Sequence, residues 1–289
     1  MASGERLSCL RSRVERAIPN WPFKHWVVRV ARPETSRWRH AWRDDKMTNK
    51  SLPRRLHLLC AILCIMGCLL VGCVLPSDVV QNKETKPVRY LALGDSYTIG
   101  ASVATTDRWP VQLAAKLHAN GLALAAPLII ARTGWTTDEL MAGIERQQPQ
   151  GPFDLVSLLI GVNNQYRGRS SDEYRMQFRQ LLRTAIACAG GHPDHVIILS
   201  IPDWSVTPFA AGRQHTAIAA AIDRFNAINR EETSQAGARY VDITPVSRQA
   251  LHDATFIAED GLHPSGKMYT KWVELVLPTA LAALGKATT

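Results

Sequence analysis

"LALGDSYTIG", residues 91–100, is the stretch on which the reading of this chain turns. A mostly apolar run that starts at Val88 stops at Gly94-Asp95-Ser96, and a polar segment closed by Gly100 follows. A serine that ends a buried strand is either one residue of a turn or a nucleophile held at the edge of a sheet. The strands and loops that follow separate these two readings.

Apolar periodicity predicts strands over 88–94, 127–131, 153–161, 195–201 and 239–243. "FDLVSLLIG", 153–161, is apolar nearly throughout, as a central parallel strand covered on both faces must be. Helical patterns lie between them over 108–121, 136–148, 170–191, 213–236 and 264–284, the last containing Pro278. Gly121 stops the first. Thr136 or Thr137 caps the second, whose positive end suits Asp138 and Glu139. Strands alternating with helices predict an α/β fold, a three-layer α/β/α sandwich around a five-stranded parallel sheet, over residues 88–289.

Sheets of this kind offer ligands the loops beyond the C-terminal ends of their strands. In this chain those loops carry Asp95-Ser96, then Arg132-Thr133-Gly134-Trp135, then Gly161-Val162-Asn163-Asn164, then Pro202-Asp203-Trp204. "EDGLHPSG", 259–266, precedes the last helix. Together they hold the parts needed for acyl transfer. Ser96 needs a base, and the imidazole of His263 exchanges a proton near neutrality. Asp260, three residues earlier, reaches that ring across a turn and orients it, with Asp253 and Glu259 as rival orienters. The Asn163 side-chain amide and the Gly134 and Ser96 backbone N–H groups are donors for a developing oxyanion. Gly134 also suits a turn with positive φ, and Asp95 suits a turn whose amide hydrogens it accepts. Trp135 and Trp204 are candidates to line an acyl or alcohol pocket, and Tyr166 and Arg167 to meet the substrate.

These motifs, in this order, resemble the GDSL-type, or SGNH, serine hydrolases. That family carries Gly-Asp-Ser after its first strand, glycine after the second, Gly-x-Asn-Asp after the third and Asp-x-x-His near the C-terminus. The resemblance covers roughly residues 88–284 and implies an SGNH-hydrolase, flavodoxin-like sheet. It implies Ser96 as nucleophile, Ser96, Gly134 and Asn163 as the oxyanion hole, and Asp260 and His263 as the rest of a triad. The implied activity is hydrolysis of a small-molecule, glycan or lipid ester. An acyltransferase or deacetylase acting on envelope glycans, and a non-catalytic binding module, are the alternatives. Tyr97 stands where the family has Leu, and Asn164 where it has Asp. Gly-x-Ser-x-Gly is absent around Ser96, against the ordinary α/β-hydrolase arrangement. No nucleotide-type glycine loop occurs, and His118, His192, His195, His215 and His252 lack metal-ligand spacing, so neither cofactor nor metal is expected.

The 289 residues carry a net charge of +9, unevenly spread. Residues 1–46 hold 11 Lys/Arg against 5 Asp/Glu, 47–72 add three cations and no acid, and 73–289 balance at 20 of each. The basic character therefore belongs to the N-terminal quarter, and the main domain is not expected to bind nucleic acid. Residues 58–75 are apolar behind Arg54-Arg55, in the order of a secretory signal. "LVGC", 70–73, resembles a bacterial lipobox, which implies a lipid anchor on Cys73. The expectation is a signal over 47–72, a linker over 73–87, and a domain held at the cell envelope, facing the periplasm. An uncleaved spanning helix is the alternative. Residues 1–46 are read as an upstream start preceding the true one at Met47, or as a basic extension whose four tryptophans touch a membrane or nucleic acid. Beyond Cys73 only Cys188 remains, so the domain has no internal disulfide.

Overall fold

The computed structural model of the protein describes residues 86–286. Residues 1–46, the signal over 47–72, Cys73 and nearly all of the linker lie outside the described residues.

Five parallel strands form one sheet in the order β2-β1-β3-β4-β5: β1 Tyr90–Gly94, β2 Leu128–Ala131, β3 Leu155–Leu159, β4 Val196–Leu199 and β5 Arg239–Val241. Register runs Leu91 opposite Leu128 and Val156, and Leu158 opposite Ile198. Every residue of β1, β3 and β4 is buried, which explains their unbroken apolar character. The one polar residue in β3 is accounted for: Ser157 Oγ lies 2.9 Å from the Tyr90 hydroxyl.

The helices are α1 Ser96–Ile99, α2 Trp109–Ala119, α3 Thr137–Gln147, α4 Val162–Tyr166, α5 Ser171–Cys188, α6 His215–Gln235, α7 Thr244–Ser247 and α8 Gly266–Ala283. α2 packs on α8, while α3 packs on α5 and α5 on α6, so the sheet is covered on both faces. On α5 the buried residues Tyr174, Phe178, Leu181, Leu182 and Ala185 follow helical spacing on one stripe. Its N-terminus is capped by Ser170 Oγ, which accepts the Glu173 N–H at 3.2 Å. Trp109 on α2 and Trp272 on α8 are fully buried, each contributing roughly 2–3 kcal/mol of apolar transfer.

The fold is the predicted three-layer sandwich, with shorter strands. β4 ends at Leu199 rather than 201 because Ile201 leaves the ladder. Asn226 on α6 satisfies its backbone instead, accepting the Ile201 N–H at 2.7 Å and donating to the Ile201 carbonyl at 3.0 Å. Strand order reverses between β1 and β3, the crevice where such sheets bind ligands. Among the described residues no helix is long and apolar enough to cross a membrane.

Candidate active site

Gly94 ends β1 with no room for a side chain. A Cβ there would sit 2.2 Å from Thr98 Oγ1 and 2.5 Å from the Leu159 carbonyl. The backbone can therefore turn tightly into α1 with Ser96 as its first residue. Asp95 is the N-cap, accepting the Tyr97 N–H at 3.0 Å. Asp95 is fully buried, and its Oδ2 has no partner among the described residues. Burial outweighs the Tyr97 hydrogen bond and raises its carboxyl to about 7. Its position is that of a turn residue, outside the cleft lining.

Ser96, Gly134, Asn163 and His263 line one open cleft of about 160 Å³, together with Tyr97, Thr133, Val162, Tyr166, Trp204, Phe209 and Leu262. Gly134 has φ +85° in a turn closed by the Trp135 N–H on the Arg132 carbonyl at 3.2 Å. Gly161, at φ +129°, enters α4 where a Cβ would meet the Tyr174 hydroxyl at 2.5 Å, so only glycine fits. Asn163 donates one amide hydrogen to the Trp135 carbonyl at 2.9 Å, which leaves the second for the cleft. Among the described residues neither the Ser96 nor the Gly134 backbone N–H donates to a protein acceptor.

His263 Nδ1 lies 2.5 Å from Asp260 Oδ2, and the Asp260 side chain keeps 32% of its surface exposed. Burial raises the Asp260 pKa, but hydrogen bonds from Ser102 and His263, with the His263 and Leu262 N–H groups, outweigh it. They hold the carboxyl well below the usual carboxylate range. The rival orienters stand elsewhere: Asp253 pairs with Lys267 at 2.8 Å, and Glu259 is exposed. Among the described residues no hydrogen bond joins Ser96 Oγ to the His263 ring; such contacts often tighten only with substrate bound.

The sequence profile of the GDSL-like lipase/acylhydrolase family matches residues 92–271. The chain belongs to this family. It is accordingly a GDSL-type esterase or lipase-like hydrolase. Solved structures share the fold: TesA, at 19% identity and TM-score 0.54, over 68% of this chain and 99% of that one. The psychrotrophic esterase EstA from Pseudoalteromonas sp. aligns at 14% identity and TM-score 0.54, over 68% and 99%. Axe2, an acetylxylan esterase from Geobacillus stearothermophilus, aligns at 18% identity and TM-score 0.51, over 68% and 94%. No curated protein matches.

Where the chain departs from the GDSL pattern, the local chemistry is closed. Tyr97 is buried with its ring edge-on to His263, centroids 5.6 Å apart, and burial raises its phenol so that it stays neutral. Asn164 is fully buried. Its Oδ1 accepts the Thr137 N–H at 3.1 Å and its Nδ2 donates to Thr137 Oγ1 at 2.7 Å, tying the asparagine loop to the start of α3.

Trp204 and Tyr166 do line the cleft, and Trp204 Nε1 donates to Gln165 Oε1 at 2.8 Å. Trp135 does not. Its ring lies over α3, where a Cβ on Gly143 would approach Trp135 Cη2 to 2.4 Å. Arg167 turns back on the loop: Nη2 donates to the Gly134 carbonyl at 2.6 Å and Nη1 pairs with Glu139 at 3.3 Å. Phe209 and Ser102 carried no motif by which sequence reasoning could find them, and Leu262 stood only as an unspecified position between Asp260 and His263.

Proposed function

We propose that the protein hydrolyses short-chain carboxylic esters through an acyl-enzyme on Ser96. The reading rests on one observation: Ser96, Gly134, Asn163 and His263 line a common cleft while His263 Nδ1 bonds Asp260. With Nδ1–H directed at Asp260, Nε2 carries the lone pair that takes the Ser96 proton as Oγ attacks the ester carbonyl. The new oxyanion is met by the Ser96 and Gly134 N–H groups and the second Asn163 amide hydrogen, donors preset before charge develops. His263 then protonates the departing alcohol, and water repeats the cycle to release the acid. The cleft is small, about 160 Å³, which favours a short acyl group over a long one.

The mouth of the cleft supports a narrower reading of the alcohol. Tyr166 and Phe209 are 47% and 39% exposed there, and the Arg213 guanidinium lies 5.4 and 5.1 Å from their centroids. These two half-exposed rings, inclined 42° to each other, and the guanidinium beside them offer a sugar ring apolar contact together with hydrogen-bond donors, so acetylated glycans are the second substrate class.

The test is hydrolysis of p-nitrophenyl acetate, butyrate and octanoate and of an acetylated oligosaccharide, by the protein and its S96A variant. The expected result is activity that falls with acyl length and is lost in S96A. An S96A rate equal to that of the unaltered protein overturns the nucleophile.

A further inference from the structure

We infer that Ser102 is a positioning residue, a hydroxyl that holds Asp260 in register with the nucleophile. The inference rests on the triad reading above. The Asp260 carboxylate has four acceptor sites, and all are filled. Oδ1 takes the Leu262 and His263 backbone N–H groups, both at 2.9 Å. Oδ2 takes His263 Nδ1 at 2.5 Å and the Ser102 hydroxyl at 2.6 Å. Three of these donors come from the aspartate's own turn and move with it. Ser102, 158 residues away in sequence, is the one of the four donors that comes from another part of the sheet edge.

That other part is the nucleophile's own segment. The Gly100 and Ala101 N–H groups both bond the Ser96 carbonyl, Ala101 at 3.0 Å. The chain from Ser96 to Ser102 is thus a short, hydrogen-bonded corner with the nucleophile at one end and the Asp260 tether at the other. Two left-handed residues make the corner: Gly100 at φ +68° and Ser102 at φ +64°. The first is a glycine, as the conformation favours. The second is not, and a side chain kept at positive φ despite the strain points to a task for that side chain. Its hydroxyl on the carboxylate that orients His263 supplies one.

Backbone strain and hydroxyl function can be separated, because glycine removes both and alanine removes only the hydroxyl. S102G is expected to unfold at the same or a higher temperature than the unaltered protein, yet to lose about 10-fold in kcat with KM unchanged, the scale of one hydrogen bond to a charged group. S102A should lose the same factor in kcat while unfolding earlier. In a D260N background, whose residual rate comes from the oxyanion donors, S102G should cost nothing further, because Ser102 acts only through Asp260. Wild-type kcat in S102G, or a full additive loss in S102G/D260N, overturns the inference. If D260N and S96A both keep the unaltered rate, the triad reading fails instead, so the two failures are told apart.

Discussion

Asp95 sits beside the proposed nucleophile in sequence but is buried outside the cleft lining, and its chemistry is set by what surrounds it. A carboxyl raised from 3.8 to about 7 is protonated more readily in the folded than in the unfolded chain. The stability it contributes is complete below about pH 4 and is lost as pH rises through 7. At roughly 1.4 kcal/mol per unit, the full effect is about 4 kcal/mol. The expected outcome is that D95N, which keeps an Oδ1 acceptor for Tyr97, gains stability over the unaltered protein as the buffer goes from pH 5 to pH 8. Parallel melting curves of the two proteins at both pH values would refute the buried, proton-holding carboxyl. Asp260 has the opposite sign: its carboxyl is held low, so its contribution persists above pH 4 and is lost only in acid.

Among the elements, the loop after β2 carries Gly134, the proposed oxyanion donor, but is held from outside itself. Asn163 and Arg167, both from the segment that follows β3, donate to the Trp135 and Gly134 carbonyls. R167A is expected to lower kcat roughly 10-fold by freeing that loop. The Arg167–Glu139 pair is about 40% exposed on each side, so the melting temperature should hardly move. An unchanged kcat would show that the glycine loop holds its place without the arginine. Inside the sheet, S157A leaves the Tyr90 hydroxyl buried without its partner, at a cost of about 1–3 kcal/mol in a urea titration. The Y90F/S157A double variant should recover most of it, and a double loss equal to the sum of the two singles would deny the coupling.

For the whole molecule, charge and hydropathy divide the chain in two. The cationic excess lies before Cys73, the apolar run of 58–75 spans it, and residues 73–289 are neutral overall. We propose that Cys73 carries acyl chains that hold the domain at a bacterial envelope membrane. C73S expressed in full is expected to escape lipidation and signal cleavage at that residue. Loss of metabolically incorporated fatty acid from C73S, with label retained in the unaltered chain, is the outcome that supports the anchor. An unaltered chain without label, uncleaved and salt-resistant in the membrane fraction, would replace the anchor by a spanning helix.

Local pattern was enough for the order and type of the main elements. Periodicity is a property of neighbouring residues, and β1, β3 and β4 are buried on both faces over their whole length. The short helical turns at Trp204–Val206, Pro208–Ala210, Arg248–Leu251 and Ala254–Phe256 are too brief to establish a period, and sequence reading passed over them. Ser96, Gly134, Asn163, Asp260 and His263 could be put forward as candidates because each stands in a short motif at a strand or helix end. What they touch could not. The Ser102 hydroxyl reaches Asp260 across 158 residues, Arg167 turns to the Gly134 carbonyl instead of the substrate, and Trp135 lies on Gly143 rather than in the cleft. The sequence by itself determined which segments are strands and helices and in what order they come. Only the tertiary structure decided who hydrogen-bonds to whom and which carboxyl is buried, because long-range contact and desolvation depend on neighbours brought together by folding.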